Sequence, residues 1–229
     1  MVKRILVAVV VLVMTGIVTV KGEIMDTVKK IDVIGHDAVR INGDKIIYFD
    51  PFRLPDNSPK ADIIFISHEH SDHMSFADIE KINKEETIIV FPKTVRHPYS
   101  GSVVSVSAGD TIIVAGIPVS VVPAYNVDKK FHTKDRGWVG YIITIDNTRI
   151  YFAGDTDRIP EMKTFGVDIA FLPVSGTYVM TASEAAEAAI DLKTKIAIPM
   201  HYGSVVGTKQ DAEEFAALLK GKVDVVIKY

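Results

Sequence analysis

The sequence predicts an α/β chain built as a four-layer αββα sandwich in a single domain. Three observations carry that expectation. Short β-branched runs recur between turn signals from Val28 onward. Two continuous apolar runs echo each other, Ala61-Asp-Ile-Ile-Phe-Ile66 and Val167-Asp-Ile-Ala-Phe-Leu172, and each leads through a polar loop into a helix. Runs without polar alternation belong to strands covered on both faces, so strands lie inside and helices outside, unlike an all-β barrel. At 229 residues, 48% hydrophobic and 24% charged, the chain is long enough for one ordinary core and too apolar for wholesale disorder.

Each element has its own justification. Lys30–Ile34, Ala38–Ile41 and Lys45–Phe49 read as strands, the last two joined across Asn42-Gly43-Asp44, a good hairpin turn. Asp62–Ile66 reads as a fully buried strand. Ser75–Asn83 reads as a helix, with the Ser75 hydroxyl at its cap and the Asp78 carboxylate at its third position. Thr87–Phe91, Val103–Val106, Thr111–Ala115 and Pro118–Val122 follow as strands. Tyr141–Ile145 and Arg149–Ala153 form a hairpin around Asp146-Asn147, and Asp168–Leu172 is again a buried strand. Thr181–Leu192 is a helix opened by a Thr181/Glu184 capping box. Ile196–Pro199 is a strand, Thr208–Lys220 a helix opened by Thr208 and Asp211, and Val223–Lys228 a closing strand.

Composition shifts near residue 22. Lys3 and Arg4 precede an uncharged apolar run of 16 residues from Ile5 to Val20, after which Lys21 and Glu23 restore polarity. That pattern describes a leader over residues 1–24, a secretory signal or a short N-terminal anchor, ahead of a domain over 25–229. The run falls short of the roughly 20 residues of a full membrane span. Export, or a membrane tether through residues 5–20, is the expectation. A start at Met25 gives a cytoplasmic protein instead, and a buried first strand is a further reading.

The chain has no Cys, which excludes disulfides, thiolate nucleophiles and Cys-ligated metal sites. Any metal is therefore held by His and carboxylates, and any nucleophile is Ser, Thr, Asp or an activated water. A net charge of −3 leaves no excess of Lys and Arg to neutralise phosphates, so no nucleic-acid partner is expected.

The chemistry concentrates in Ser67-His68-Glu69-His70-Ser71-Asp72-His73, directly after a buried strand. Three imidazoles and two carboxylates crowded on one loop form no amphipathic pattern, and a divalent cation resolves their crowding. Alternation places His68 and His70 on one side of an extended segment, where both meet one metal. Asp72 and His73 lie where the chain turns into the helix, within reach of a second.

This His-x-His-x-Asp-His motif after a hydrophobic strand resembles the signature of the metallo-β-lactamase superfamily. Further landmarks follow in order: Gly35-His36 after the first strand, Asp50-Pro51 after the hairpin, Tyr151-Phe-Ala-Gly-Asp155-Thr-Asp157, and Ile198-Pro-Met-His201-Tyr-Gly203. The resemblance runs from about Val28 to the C-terminus. It is similar in particular to the branch that includes ascorbate-6-phosphate lactonase-like and N-acylphosphatidylethanolamine phospholipase D-like proteins. It implies the αββα fold and a hydrolase with two divalent metal ions, zinc by default, with manganese or iron compatible with ligation that lacks Cys. It implies Asp155 as the bridging carboxylate and His201 as the last imidazole. One metal would take His68, His70 and His132, the other Asp72, His73 and His201.

One landmark departs from the family pattern. Where many relatives carry a further His after a central strand, this chain has Asn126, and His132 stands six residues on. Either one fills that position, and the reading favours His132. Asp72 and His132 are the residues expected to act in catalysis, with Asp72 accepting the proton of an activated water. His36, Asp50, Asn126 and Asp157 are expected around the ligands or lining the pocket, Asp50 and Asp157 as partners that fix imidazole tautomers. Trp138 and Tyr178 are expected in the core or on the pocket wall. The loops Phe52–Lys60, Phe91–Ser102 and Asn126–Gly137 are expected to wall the pocket. The substrate implied is an ester, lactone or phosphodiester. The alternatives are an iron-dependent oxidoreductase on the same fold or a nuclease-type phosphodiesterase.

Overall fold

A computed structural model describes residues 21–229. The expected leader over 1–24 falls on residues 1–20 for all but its last four positions, and those twenty residues, with the tether and first-strand readings, lie outside the described residues. Residues 21–29 are helical and bury Ile24, Thr27 and Val28. The division expected after residue 24 therefore falls inside a helix that packs on the core. Among the described residues no helix is long and apolar enough to cross a membrane.

Thirteen strands follow in two sheets. The first runs β1 (Ile31–Gly35), β2 (Ala38–Asn42), β3 (Ile46–Phe49), β4 (Ile63–Phe65), β5 (Ile88–Pro92), β6 (Val103–Val106), in that spatial order. The second holds β7 (Thr111–Val114), β8 (Ile117–Pro123), β9 (Val139–Ile145), β10 (Thr148–Phe152), β11 (Ile169–Pro173), β12 (Ile196–Met200) and β13 (Asp224–Val225), adjacent in sequence order. Besides the helical residues 21–29, three α-helices pack outside among the described residues: α1 (Phe76–Ile82), α2 (Ala182–Asp191) and α3 (Lys209–Leu219). These are the elements the sequence predicts, with ends moved by a residue or two. The closing strand is the exception, shortened to two residues.

Alternation explains the layers. In β4, Ile63 and Phe65 enter the core between the sheets, while Ile64 joins Ile79 and Ile82 of α1 in a separate outer cluster. Successive side chains of a strand point to opposite faces, so an unbroken apolar run is what a strand between two layers requires. The inner core centres on Phe49, Phe65, Phe152 and Tyr141, and the Tyr141 hydroxyl donates to the Ile66 carbonyl at 2.7 Å.

The repeated run marks a repeated construction. β4 and β11 each sit between parallel neighbours. Asp62, just before β4, accepts from the Ile46 amide at 2.7 Å, and Asp168, just before β11, accepts from the Arg149 amide at 2.9 Å. A lysine pairs with each, Lys84 with Asp62 and Lys195 with Asp168. The carboxyl ends of the parallel strands thus gather at one edge of both sheets, where α/β folds place ligands.

Candidate metal centre

Every site segment leaves a strand at that edge. Asp50 follows β3, His68 follows β4, Asp155 follows β10, Ser175 follows β11 and His201 follows β12. His36 and Asp37 form the two-residue turn between β1 and β2 and are buried, although such turns ordinarily face water. The His201 amide donates to the His36 carbonyl at 3.0 Å, tying that turn to the last strand. His36, Asp50 and His201 adopt left-handed backbone, with φ of 52°, 41° and 60°. That conformation costs a non-glycine residue about 1–3 kcal/mol and persists only where the surroundings enforce it. Gly154 has a different reason for its identity: at φ 61°, a Cβ there would lie 2.8 Å from the Ser67 Cβ. The adjacent Asp155 is thereby set against the His68 loop.

Among the described residues three groups of donors form, one of them the trio Asp50, His68 and His73, and the other two with four members each. His68, His70, His132 and Asp155 make one; His36, Asp37, His73 and His201 make the other, each with its ligand atoms within 4.8 Å of one another. Asp155 touches both. Its Oδ2 lies 3.0 Å from His132 Nε2 and 3.2 Å from His201 Nε2, and its Oδ1 lies 3.4 Å from His73 Nε2.

The rings are aimed from behind. His73 Nδ1 lies 2.8 Å from Asp50 Oδ2, His68 Nδ1 2.9 Å from Ser67 Oγ, His201 Nδ1 2.9 Å from Ser175 Oγ, and His132 Nδ1 3.3 Å from the Tyr178 carbonyl. Occupying Nδ1 turns each Nε2 inward, as imidazole ligands are ordinarily held. His68 Nε2 and His70 Nδ1 stand 3.0 Å apart.

Burial and charge act in opposite directions here. Burial, with His73, His70 and His132 close by, drives His68 well below the ordinary imidazole value, so it stays neutral. Burial also opposes a charge on His73, but Asp155, Asp37 and Asp50 outweigh it and raise that ring well above its ordinary value. Against the same burial, Asp155 and Asp37 push His201 up to about 8. Burial would raise Asp155, yet His201, His73 and His132 hold it well below the usual carboxylate range. His73 Nε2, His132 Nε2, Asp155 Oδ1 and both Asp37 oxygens are buried without a hydrogen-bond partner. Orphaned buried polar groups are costly, and lone pairs of this type converging on common points fit divalent cations. These residues could hold two of them.

The other expected residues fall as follows. Asp72 has a side chain 25% exposed at the rim and sits 3.2 Å from His36 Nε2 and 4.0 Å from His73 Nε2. His132, not Asn126, faces Asp155. Asn126 instead braces its own loop, accepting from the His132 amide at 2.9 Å and donating to Asp157 and to the Tyr178 carbonyl. Asp157 reaches no imidazole, contrary to its expected role. It accepts from Asn126, the Val127 amide and Lys129, which fastens the loop carrying His132. Trp138 is buried against the His68, His70 and His132 rings, and its Nε1 donates to Glu69 at 2.5 Å. Sequence reasoning passed over Asp37, Ser67 and Ser175. Asp37 was visible only as an acidic residue beside His36.

The profile described as "Beta-lactamase superfamily domain" matches residues 30–201. UPF0173 metal-dependent hydrolases from Pyrococcus horikoshii and Archaeoglobus fulgidus are 31% and 32% identical, each alignment covering 86% of this chain and 95% of the relative. A solved structure from Parabacteroides distasonis, of a protein assigned as a metal-dependent hydrolase, superposes with a TM-score of 0.75 at 36% identity, covering 86% of this chain and 91% of that one. The Igni18 metallo hydrolase of Ignicoccus hospitalis shares the fold, with a TM-score of 0.72 at 24% identity over 86% and 93% of the two chains. With the fold, the two His/carboxylate clusters and these matches in agreement, the chain belongs to the β-lactamase superfamily, among its metal-dependent hydrolases.

Proposed function

We propose that the protein uses two divalent cations, zinc by default, to hydrolyse a small-molecule ester, lactone or phosphodiester. The observation that carries this reading is the placement of Asp155, whose two oxygens face His132 of one cluster and His73 and His201 of the other. A carboxylate so placed suits a bridge. Bound cations would supply Lewis-acid chemistry, drawing the pKa of water from ~15.7 toward ~7 and offsetting charge on the attacked oxygen.

The chain's own residues do the rest. His68, His70 and His132 would hold one cation; His73 and His201 the other, with Asp72 at its rim. The partly exposed Asp72 carboxylate is held against His36 and sits well below the usual carboxylate range, since His36 and His73 outweigh its burial. It is therefore ionised and placed to accept the proton that water gives up. Phe131, half-exposed beside Tyr178, and Phe52, beside His36, offer apolar surface near the cluster.

The test is a panel of p-nitrophenyl esters, lactones and bis-p-nitrophenyl phosphate, assayed before and after chelation and metal return. Activity should vanish on chelation and return with metal. Asp155→Asn should lower kcat/KM by at least about 100-fold, the upper end of what losing a partner beyond the ligands costs. Hydrolysis that survives chelation unchanged contradicts the reading.

A further inference from the structure

The His73/His201 cluster contains one carboxylate that the family resemblance does not supply. Asp37 lies in the β1–β2 turn with no exposed surface, and neither of its oxygens has a hydrogen-bond partner. A carboxylate in that state is among the most expensive groups a fold can bury, because it has given up water and gained no donor. The groups around it are ligand atoms. Asp37 Oδ2 lies 3.4 Å from His73 Nε2, 3.7 Å from His201 Nε2 and 3.9 Å from His36 Nε2.

The 3.4 Å separation from His73 matches the edge of a coordination polyhedron, and the 3.7 Å separation from His201 lies just above it. Ligands about 2.0–2.2 Å from a tetrahedral ion stand roughly 3.3–3.6 Å from one another. A hydrogen bond between an imidazole nitrogen and a carboxylate oxygen is shorter, about 2.7–3.0 Å. The spacing that fails as hydrogen bonding succeeds as shared coordination. Backbone geometry supports it too: the left-handed φ of His36 and the His201 amide bond to the His36 carbonyl hold the turn inward rather than toward water.

We infer that Asp37 is an additional ligand of the cation held by His73 and His201, making that site richer in carboxylate than the His68/His70/His132 site. The inference rests on the two-cation reading above. Its consequence is a difference between the sites. Imidazole-rich ligation suits zinc, whereas added carboxylate oxygen shifts a site toward harder ions such as Mn2+.

The experiment titrates metal-free full-length protein with Zn2+ and, separately, Mn2+. Bound metal is measured by elemental analysis after equilibrium dialysis against a competing chelator, and the Co2+ absorption spectrum is recorded at each equivalent. Wild type is compared with Asp37→Asn and with the smaller Asp37→Ser, both checked for native near-ultraviolet circular dichroism. Wild type should take two equivalents. In both variants one equivalent should bind as in wild type and the other at least about tenfold more weakly, with the larger loss for Mn2+ and a changed Co2+ spectrum at that equivalent alone. Two equivalents bound with wild-type affinity and spectrum in the variants overturn the assignment of Asp37 and leave the two-cation reading standing. Wild type that takes fewer than two equivalents overturns both.

Discussion

At His73 one imidazole faces three carboxylates within 3.4 Å, Asp50 at Nδ1 and Asp37 and Asp155 at Nε2, with Asp72 farther off at 4.0 Å. Asp50 is the one that positions rather than receives. Its two oxygens also accept from the Ser67 amide at 2.7 Å and the Ser67 hydroxyl at 2.5 Å, so one buried side chain orients both the strand end and the ring. Asp50→Ala should weaken metal binding by about 10–100-fold in chelator competition. It should also lower stability in urea unfolding by about 1–3 kcal/mol, because the Ser67 donors lose their acceptor. Unchanged metal affinity would show that the ring needs no such support. Most of these residues are legible in the sequence, since His68, His70, Asp72 and His73 sit in one dense motif that no surface loop requires. Asp37 is not, because acidic residues are common in two-residue turns and only the fold shows that this turn is buried. Ser67 and Ser175 are invisible for a related reason: a hydroxyl that makes one bond to an imidazole has no spacing of its own.

Among the elements, strand positions follow directly from the β-branched runs, while what their ends connect is set by contacts distant in sequence. α1 shows the difference. Ser75 accepts from the Asp78 amide as the cap predicts, but the Asp78 carboxylate also accepts from the Arg53 and Leu54 amides at 2.7 and 3.0 Å, pinning the loop after Asp50. Burial would raise the Asp78 pKa, and hydrogen bonds from Ser75, Lys81, Leu54 and Arg53 bring it below its ordinary 3.8. Because the folded-state value is the lower one, this stabilisation is complete above the unfolded pKa and fades as pH falls through the folded value. Asp78→Ala should therefore cost about 2 kcal/mol in urea unfolding at pH 7. The difference from wild type should shrink below pH 4. A difference that holds constant down to pH 2 contradicts this account. The helix over residues 21–29 was missed for a physical reason. The composition changes near residue 22, but the buried pair Ile24 and Val28, four apart on one helical face, spans the expected boundary after residue 24.

For the whole molecule, the duplicated Asp-led strands β4 and β11 sit in the two facing sheets with their carboxyl ends at one edge. Each half then contributes part of the centre: the first gives His36, Asp37, Asp50 and the His68–His73 loop, the second His132, Asp155 and His201. The sandwich and its layers could be read from two apolar runs. The joining of the halves at the metal centre could not, because it depends on the side chains between the sheets packing at the right depth. On the proposed function, residues at this edge would hold two divalent cations, with Asp155 shared between the two four-member donor groups. This is tested most directly by elemental analysis of metal per chain, after dialysis, in wild type and Asp155→Asn. Wild type should retain two equivalents, and the variant at most one, weakly held. Wild-type protein that retains no divalent metal would contradict it.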